Sequence, residues 1–175
     1  MHTRTDSHAL TTAPPGVGGS AHPGTLAPAV ELPPKSRETL LAIADGLQKR
    51  RLAQRLGISP NTIWDRTARL RVFFDCPQPS PLSALVALGY ETGAIPLPAL
   101  SGETILIPPT EAALVPYAAA GVRTQVMAEQ LRMPFSVVQN ATYVLRQRIK
   151  AVNGPHAVKR LHELGLVTPA GRREA

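Results

Sequence analysis

Slid against itself by 75 positions, the sequence keeps its apolar frame. Leu32-Pro33-Pro34 falls on Ile107-Pro108-Pro109, Gly46 on Gly121, Leu52-Ala53 on Met127-Ala128, Leu56 on Leu131, Ile63 on Val138, Thr67 on Thr142 and Leu70-Arg71 on Leu145-Arg146. After one inserted residue the match is expected to resume with Leu85, Leu88 and Gly89 on Leu161, Leu164 and Gly165. A unit written twice buries the same stripe twice, so the 175 residues divide into two small related units instead of one large core.

The same punctuation recurs in each copy. A first helix is expected from about Pro34 to Asp45, with proline in the first turn and Gly46 just past the end. A short second helix, about Gln48 to Leu56, leads into the turn Gly57-Ile58-Ser59. Ser59 can accept from the free amides of the next turn and Pro60 suits the first helical position, so a third helix begins there. Its inner face is Ile63, Thr67, Leu70 and Phe74, at helical spacing. A fourth helix, about Pro81 to Leu88, is expected to close on Gly89. The second copy predicts helices near 110 to 120, 123 to 131, 135 to 150 and 155 to 164, with Pro116 kinking or shortening the first of them.

The expected fold class is therefore all-α: two tandem four-helix units, residues 32–90 and 107–167. Residues 1–31, rich in Ala, Pro, Gly, Thr and Ser, are expected to be a disordered N-terminal tail. The segment 91–106 reads as a linker, because IPLPALSGETILIPP carries four prolines and a Ser-Gly turn signal. Residues 168–175 read as a C-terminal tail.

Composition narrows the function classes. No stretch reaches the ~18 apolar residues of a membrane span, and the first residues lack the apolar core of a secretory signal, so a cytoplasmic protein is expected. Cys76, the single cysteine, excludes an intrachain disulfide and a cysteine-rich zinc site. His156 and His162 lie six apart, not at the three or four that aligns two metal ligands on a helix, and are expected at the surface. The Gly-Val-Gly-Gly at 16 to 19 lacks the Lys-Ser/Thr ending of a phosphate loop. With no catalytic constellation, no cofactor and no metal are expected, and the chain is not expected to be an enzyme. The net charge of +7 is uneven: residues 32–90 carry +5 and 107–167 carry +4, against −1 in the N-terminal tail, −2 in the linker and +1 in the C-terminal tail. Cationic folded units favour a polyanionic partner.

Two short helices joined by a tight turn, the second longer and opened by a small polar residue, describe a helix-turn-helix. The run RETLLAIADGLQKRRLAQRLGISPNTIWDRTARLRVFF (37 to 74) resembles the DNA-binding domain of LuxR-type (GerE-like) regulators. Glu38, Gly46, Leu47, Ala53, Leu56, Gly57, Ile58, Ser59, Thr62 and Ile63 occupy the places of that pattern. The second copy, 110 to 149, keeps the apolar frame but has Arg132-Met133-Pro134-Phe135 at the turn, Ala113 in place of the glutamate, and Pro116 inside its first helix. The resemblance implies a bacterial, nucleoid-associated, sequence-specific protein that binds double-stranded DNA and regulates transcription, with recognition helices at about 60–74 and 135–150. It includes no small-molecule ligand domain. Two other readings stay open: a degenerate pair that docks on RNA polymerase, a sigma factor or another regulator through Trp64 and the fourth helices, and a plasmid or phage replication or partition protein.

Opposite the inner face of the third helix lie Asn61, Trp64, Asp65, Ala68 and Arg69, with Thr62 and Arg66 beside them. The resemblance implies that Trp64, Asp65 and Ala68 point into a major groove while Arg69 meets a phosphate. Asp65 can accept from cytosine N4 and Trp64 can cover a thymine methyl, although Trp64 equally suits packing on the other copy or on a protein. The second copy offers Ser136, Gln139, Asn140 and Tyr143, with Arg146 and Arg148 alongside; Gln and Asn bind adenine N6 and N7 in bidentate fashion. Lys49, Arg50 and Arg51 open the second helix, where amides and cations make a phosphate clamp, and Arg123 and Gln125 do so more weakly in copy two. Unlike heads imply an asymmetric site, and the 17 linker residues between Gly89 and Ile107, extended at ~3.3 Å each, span roughly 56 Å. That reach covers the ~34 Å between adjacent half-sites.

Overall fold

A computed structural model describes residues 30–76 and 79–168, and every regular element among them is an α-helix. The expected tails, 1–31 and 168–175, lie outside the described residues except for 30, 31 and 168. The first unit contains α1 (Pro34–Ala44), α2 (Lys49–Leu56), α3 (Pro60–Phe73) and α4 (Leu82–Glu91). The second contains α5 (Pro109–Ala112), α6 (Val115–Ala119), α7 (Thr124–Leu131), α8 (Phe135–Arg148) and α9 (Gly154–Glu163).

The repeat is visible in the backbone as well as in the side chains. After α2 the Gly57 and Ile58 amides donate to Gln54 and Ala53 at 3.2 and 3.0 Å; after α7 the Arg132 and Met133 amides donate to Glu129 and Ala128 at the same distances. These bonds close each short helix through one left-handed residue. α3 then starts where the Ser59 hydroxyl accepts the Thr62 amide at 3.1 Å, with Pro60 in its first turn. α3 and α8 each run 14 residues and end on left-handed Asp75 and Lys150. Inside them Ile63, Thr67 and Leu70, and likewise Val138, Ala141 and Leu145, are buried. Pro116 acts as expected. With no amide to donate, it leaves the counterpart of the 11-residue α1 as two pieces of 4 and 5 residues.

One expectation fails. Gly89 does not end the fourth helix, because α4 continues through it to Glu91, and the left-handed stop is Gly93, φ +69°, matching Gly165, φ +65°, after α9. Gly89 is glycine for packing: a β-carbon there would stand 2.7 Å from Leu40 Cδ2 and 3.1 Å from the Ile95 side chain. The fourth helices are therefore related by 72 positions, with residues lost, not gained, between the copies.

That register places related residues against each other. α4 packs on α9, and α9 also packs on α1 and α6. Tyr90 and its counterpart His162 meet edge to face, ring centroids 4.9 Å apart, and Val158 of α9 is wholly buried in the core of the first unit. Where α4 and α9 begin, the Asn153 side-chain amide donates to the Gly46 carbonyl at 2.8 Å and the Ser83 hydroxyl donates to the Gly121 carbonyl at 3.2 Å. Asp45 adds ion pairs to Lys159 at 2.7 Å and Arg55 at 3.2 Å. The expectation that His156 and His162 are surface residues also fails: both are partly buried on this seam, since α9 is an internal helix shared by both units.

The connection is not a free tether. Ala94 and Ile95 are buried in the first core, Ile105 and Ile107 pack on the second, the Ser101 amide donates to the Glu163 carbonyl at 2.7 Å, and Glu103 pairs with Lys150 and Arg160. Apolar residues among its prolines anchor it, so the spacing of the units is set by packing and not by linker reach.

Candidate nucleic-acid interface

α3 packs on α1 and α2, and α8 on α7 and α5, so the long helices flank the seam instead of forming it. Each exposes the side opposite its buried stripe. On α3, Asn61, Trp64, Asp65 and Arg69 are exposed and Ala68 half-exposed; on α8, Ser136, Gln139, Asn140 and Tyr143 are exposed. Trp64 is 64% and Tyr143 54% exposed, unusual for large rings.

The two faces differ in how their cations are used. Around α3, Arg50, Arg51 and Arg69 are exposed and enter none of the ion pairs among the described residues. Lys49 stands with its ammonium 5.8 Å from the centroid of the Trp64 ring, which orients both groups at the α2–α3 edge. Arg66 is committed elsewhere: its guanidinium donates to the Thr39 hydroxyl at 3.1 Å and the Lys35 carbonyl at 3.4 Å, tying α3 to the start of α1. Thr62 is held by the cap, its hydroxyl 2.9 Å from that of Ser59.

In the second unit most positive charge is answered internally. Arg148 pairs with Glu111 at 3.0 Å, Lys150 with Glu103 at 2.8 Å, and Arg160 with Glu163 at 2.7 Å. The hydrogen bonds from Lys150 and Arg160 hold the Glu103 carboxyl below its ordinary range. Gln125 is bound to Glu129 at 3.0 Å. Arg146 is partly buried, its Nε without a partner among the described residues, while Arg123 remains exposed and outside these pairs. The face around α8 is thus polar and nearly neutral: Ser136, Gln139, Asn140, Tyr143, and also Gln147, which lies outside the set expected from sequence. On α3 the position related to Gln147 is Val72, 82% exposed. Both extend the outer stripe by one turn, a signal present in the helical spacing.

Among the described residues no helix is long and apolar enough to cross a membrane, and no group of three or more His, Cys, Asp or Glu is placed to hold a metal ion. Compared with family models, with curated proteins and with solved structures, the chain finds no match in any of the three. Function must therefore be read from the geometry and chemistry of these surfaces.

Proposed function

We propose that the chain binds double-stranded DNA through two tandem helix-turn-helix units of the LuxR type, with α3 and α8 as the recognition helices, and that it regulates transcription. The observation that carries this reading is the bare outer stripe on each long helix, left open while α1, α4, α6 and α9 are consumed by packing. A rigid seam suits two-headed recognition, because a duplex presents its major groove at fixed intervals of about 34 Å. The heads divide the work. Lys49, Arg50, Arg51 and Arg69 supply phosphate contacts, which position without reading; Gln139 and Asn140 supply bidentate donors and acceptors for base edges.

The test is binding to a random duplex across a salt series. About six phosphate contacts weaken binding by ~10³ between 50 and 200 mM salt; a flat response would reject the proposal. Arg50→Ala with Arg69→Ala should weaken all duplexes alike and lower the salt slope by about 2. The rival reading, docking on RNA polymerase, a sigma factor or another regulator through Trp64 and the fourth helices, keeps the exposed Trp64 but has less of the fourth helices to offer, since α4 and α9 pack against each other; a flat salt response would favour it. A replication or partition role would use the same DNA-binding face, and the genomic fragments captured by the protein distinguish it from regulation.

A further inference from the structure

Between the units, beside the α2–α3 edge, lies a half-open cavity of about 530 Å³, within the size range of sites that hold small organic ligands. Leu47, Leu52, Ile63 and Leu82 make it apolar, Trp64 stands on its rim, and Asn153 and Pro155 of the second unit form its far wall. Two cations line it, Lys49 and Arg71, and no acidic residue does. Arg71 spends one nitrogen on the Ser80 carbonyl, at 3.2 Å, while its Nε is buried without an acceptor among the described residues. The repeat supplies an internal comparison. The related cavity in the second unit, with Arg146 in the place of Arg71 and Thr124 in the place of Lys49, is about 270 Å³. It is smaller where the backbone of Ser83 and Ala84 closes directly on Gly121; at Gly46 the approach is made by the side chains of Val152 and His156.

We propose that the larger cavity binds a small amphipathic organic acid, its hydrocarbon part on the leucines and Trp64 and its carboxylate between Lys49 and Arg71. Apolar walls with two cations that enter no ion pair among the described residues match such a ligand in shape and in charge. A neutral compound of the same shape would forgo the charge-assisted hydrogen bonds that a carboxylate makes with both cations. The site belongs to no separate ligand domain, because it is made where the two units meet. Its consequence rests on the DNA-binding reading: an occupant that neutralises Lys49 and wedges Asn153 from Trp64 disturbs the phosphate clamp and the spacing of the heads, and so weakens duplex binding.

Trp64 is the sole tryptophan of the chain, so its emission, excited at 295 nm, reports occupancy directly. The probes are 4-phenylbutyrate and octanoate, each beside its primary amide. Saturable change with either acid, at least about tenfold tighter than with its amide, is the expected result. Lys49→Met, at an exposed side chain, and Arg71→Met should each reduce that preference several-fold, and Arg146→Met should not. No saturable change with either acid to 5 mM, or equal binding of acid and amide, overturns the proposal; should Arg71→Met unfold, Lys49→Met decides. Emission needs no DNA, so acid binding stands or falls independently of duplex binding. If the acid binds while the affinity of a duplex-binding protein is unchanged, the proposed coupling is overturned.

Discussion

Arg132 occupies the backbone conformation of its repeat partner Gly57, φ 52° against 62°. A β-carbon in that region costs about 1–2 kcal/mol, partly offset because glycine loses more freedom on folding. We expect Arg132→Gly to raise stability by about 0.5–1 kcal/mol, seen as a higher urea midpoint at unchanged slope. The sequence shows that the turn lacks its glycine; only the helix geometry shows that the turn forms regardless. Residues proposed to read bases should behave differently from scaffold residues. Asn140 is exposed and holds nothing in place, so Asn140→Ala should leave the melting temperature unchanged. It should redistribute preference among selected sequences by about 1–3 kcal/mol at one base pair. Arg66 illustrates what spacing cannot reveal: it lies beside the outer stripe of its helix, yet its long side chain reaches Thr39 and Lys35. On α8, Arg148 is likewise held by a carboxylate 37 residues away in sequence.

At the level of elements, the glycines separate turn from seam. Gly57 has open space around its missing β-carbon, whereas a β-carbon on Gly121 would meet the Ser83 and Ala84 backbone. Both have positive φ, so Gly57→Ala should cost about 0.5–1 kcal/mol from the backbone alone, after glycine's greater loss of freedom on folding is set against the β-carbon strain. Gly121→Ala should cost about 3 kcal/mol or more, because α4 must also withdraw. Thermal melts of the two variants compare the terms directly; equal losses would mean that the seam contact at Gly121 carries no weight. The helices of both copies are legible from their punctuation, since caps, prolines and left-handed stops act within one turn. Gly89 misleads for the complementary reason. A glycine demanded by Leu40 and Ile95 looks the same in sequence as one demanded by a helix end.

At the scale of the whole molecule, the two units share α9, whose Val158 completes one core while Ala157 and Leu161 lie in the other. Unfolding either unit therefore strips the other. We expect one cooperative transition, with calorimetric and van't Hoff enthalpies equal; two resolved transitions would show independent units. The seam also carries a pH dependence. His156 and His162 are held below their ordinary titration range, in both cases chiefly by burial, and the His156 Nδ1 accepts the Val152 amide at 3.2 Å. Protonation charges a buried ring and removes that acceptor. Since the unfolded chain takes up these protons at higher pH, their contribution is present above the ordinary value of about 6.5 and is lost as the pH falls through the lowered folded-state values. The midpoint of thermal unfolding should drop between pH 7.5 and 5, and His156→Gln with His162→Gln should flatten that fall.

By itself the sequence determined everything that acts over a turn or two of chain: helical content, the doubling at 75 positions, the cap at Ser59, the break at Pro116 and the outer stripes of the long helices. Local spacing and stereochemistry suffice for these. Tertiary structure alone decided how the units meet, which cations stay free, and that the linker is packed down. Those outcomes depend on contacts between residues far apart in the chain, such as Lys159 with Asp45 and Arg148 with Glu111. Net charge counts Arg50 and Arg148 alike, and only their neighbours in space make one available to a partner and the other part of the scaffold.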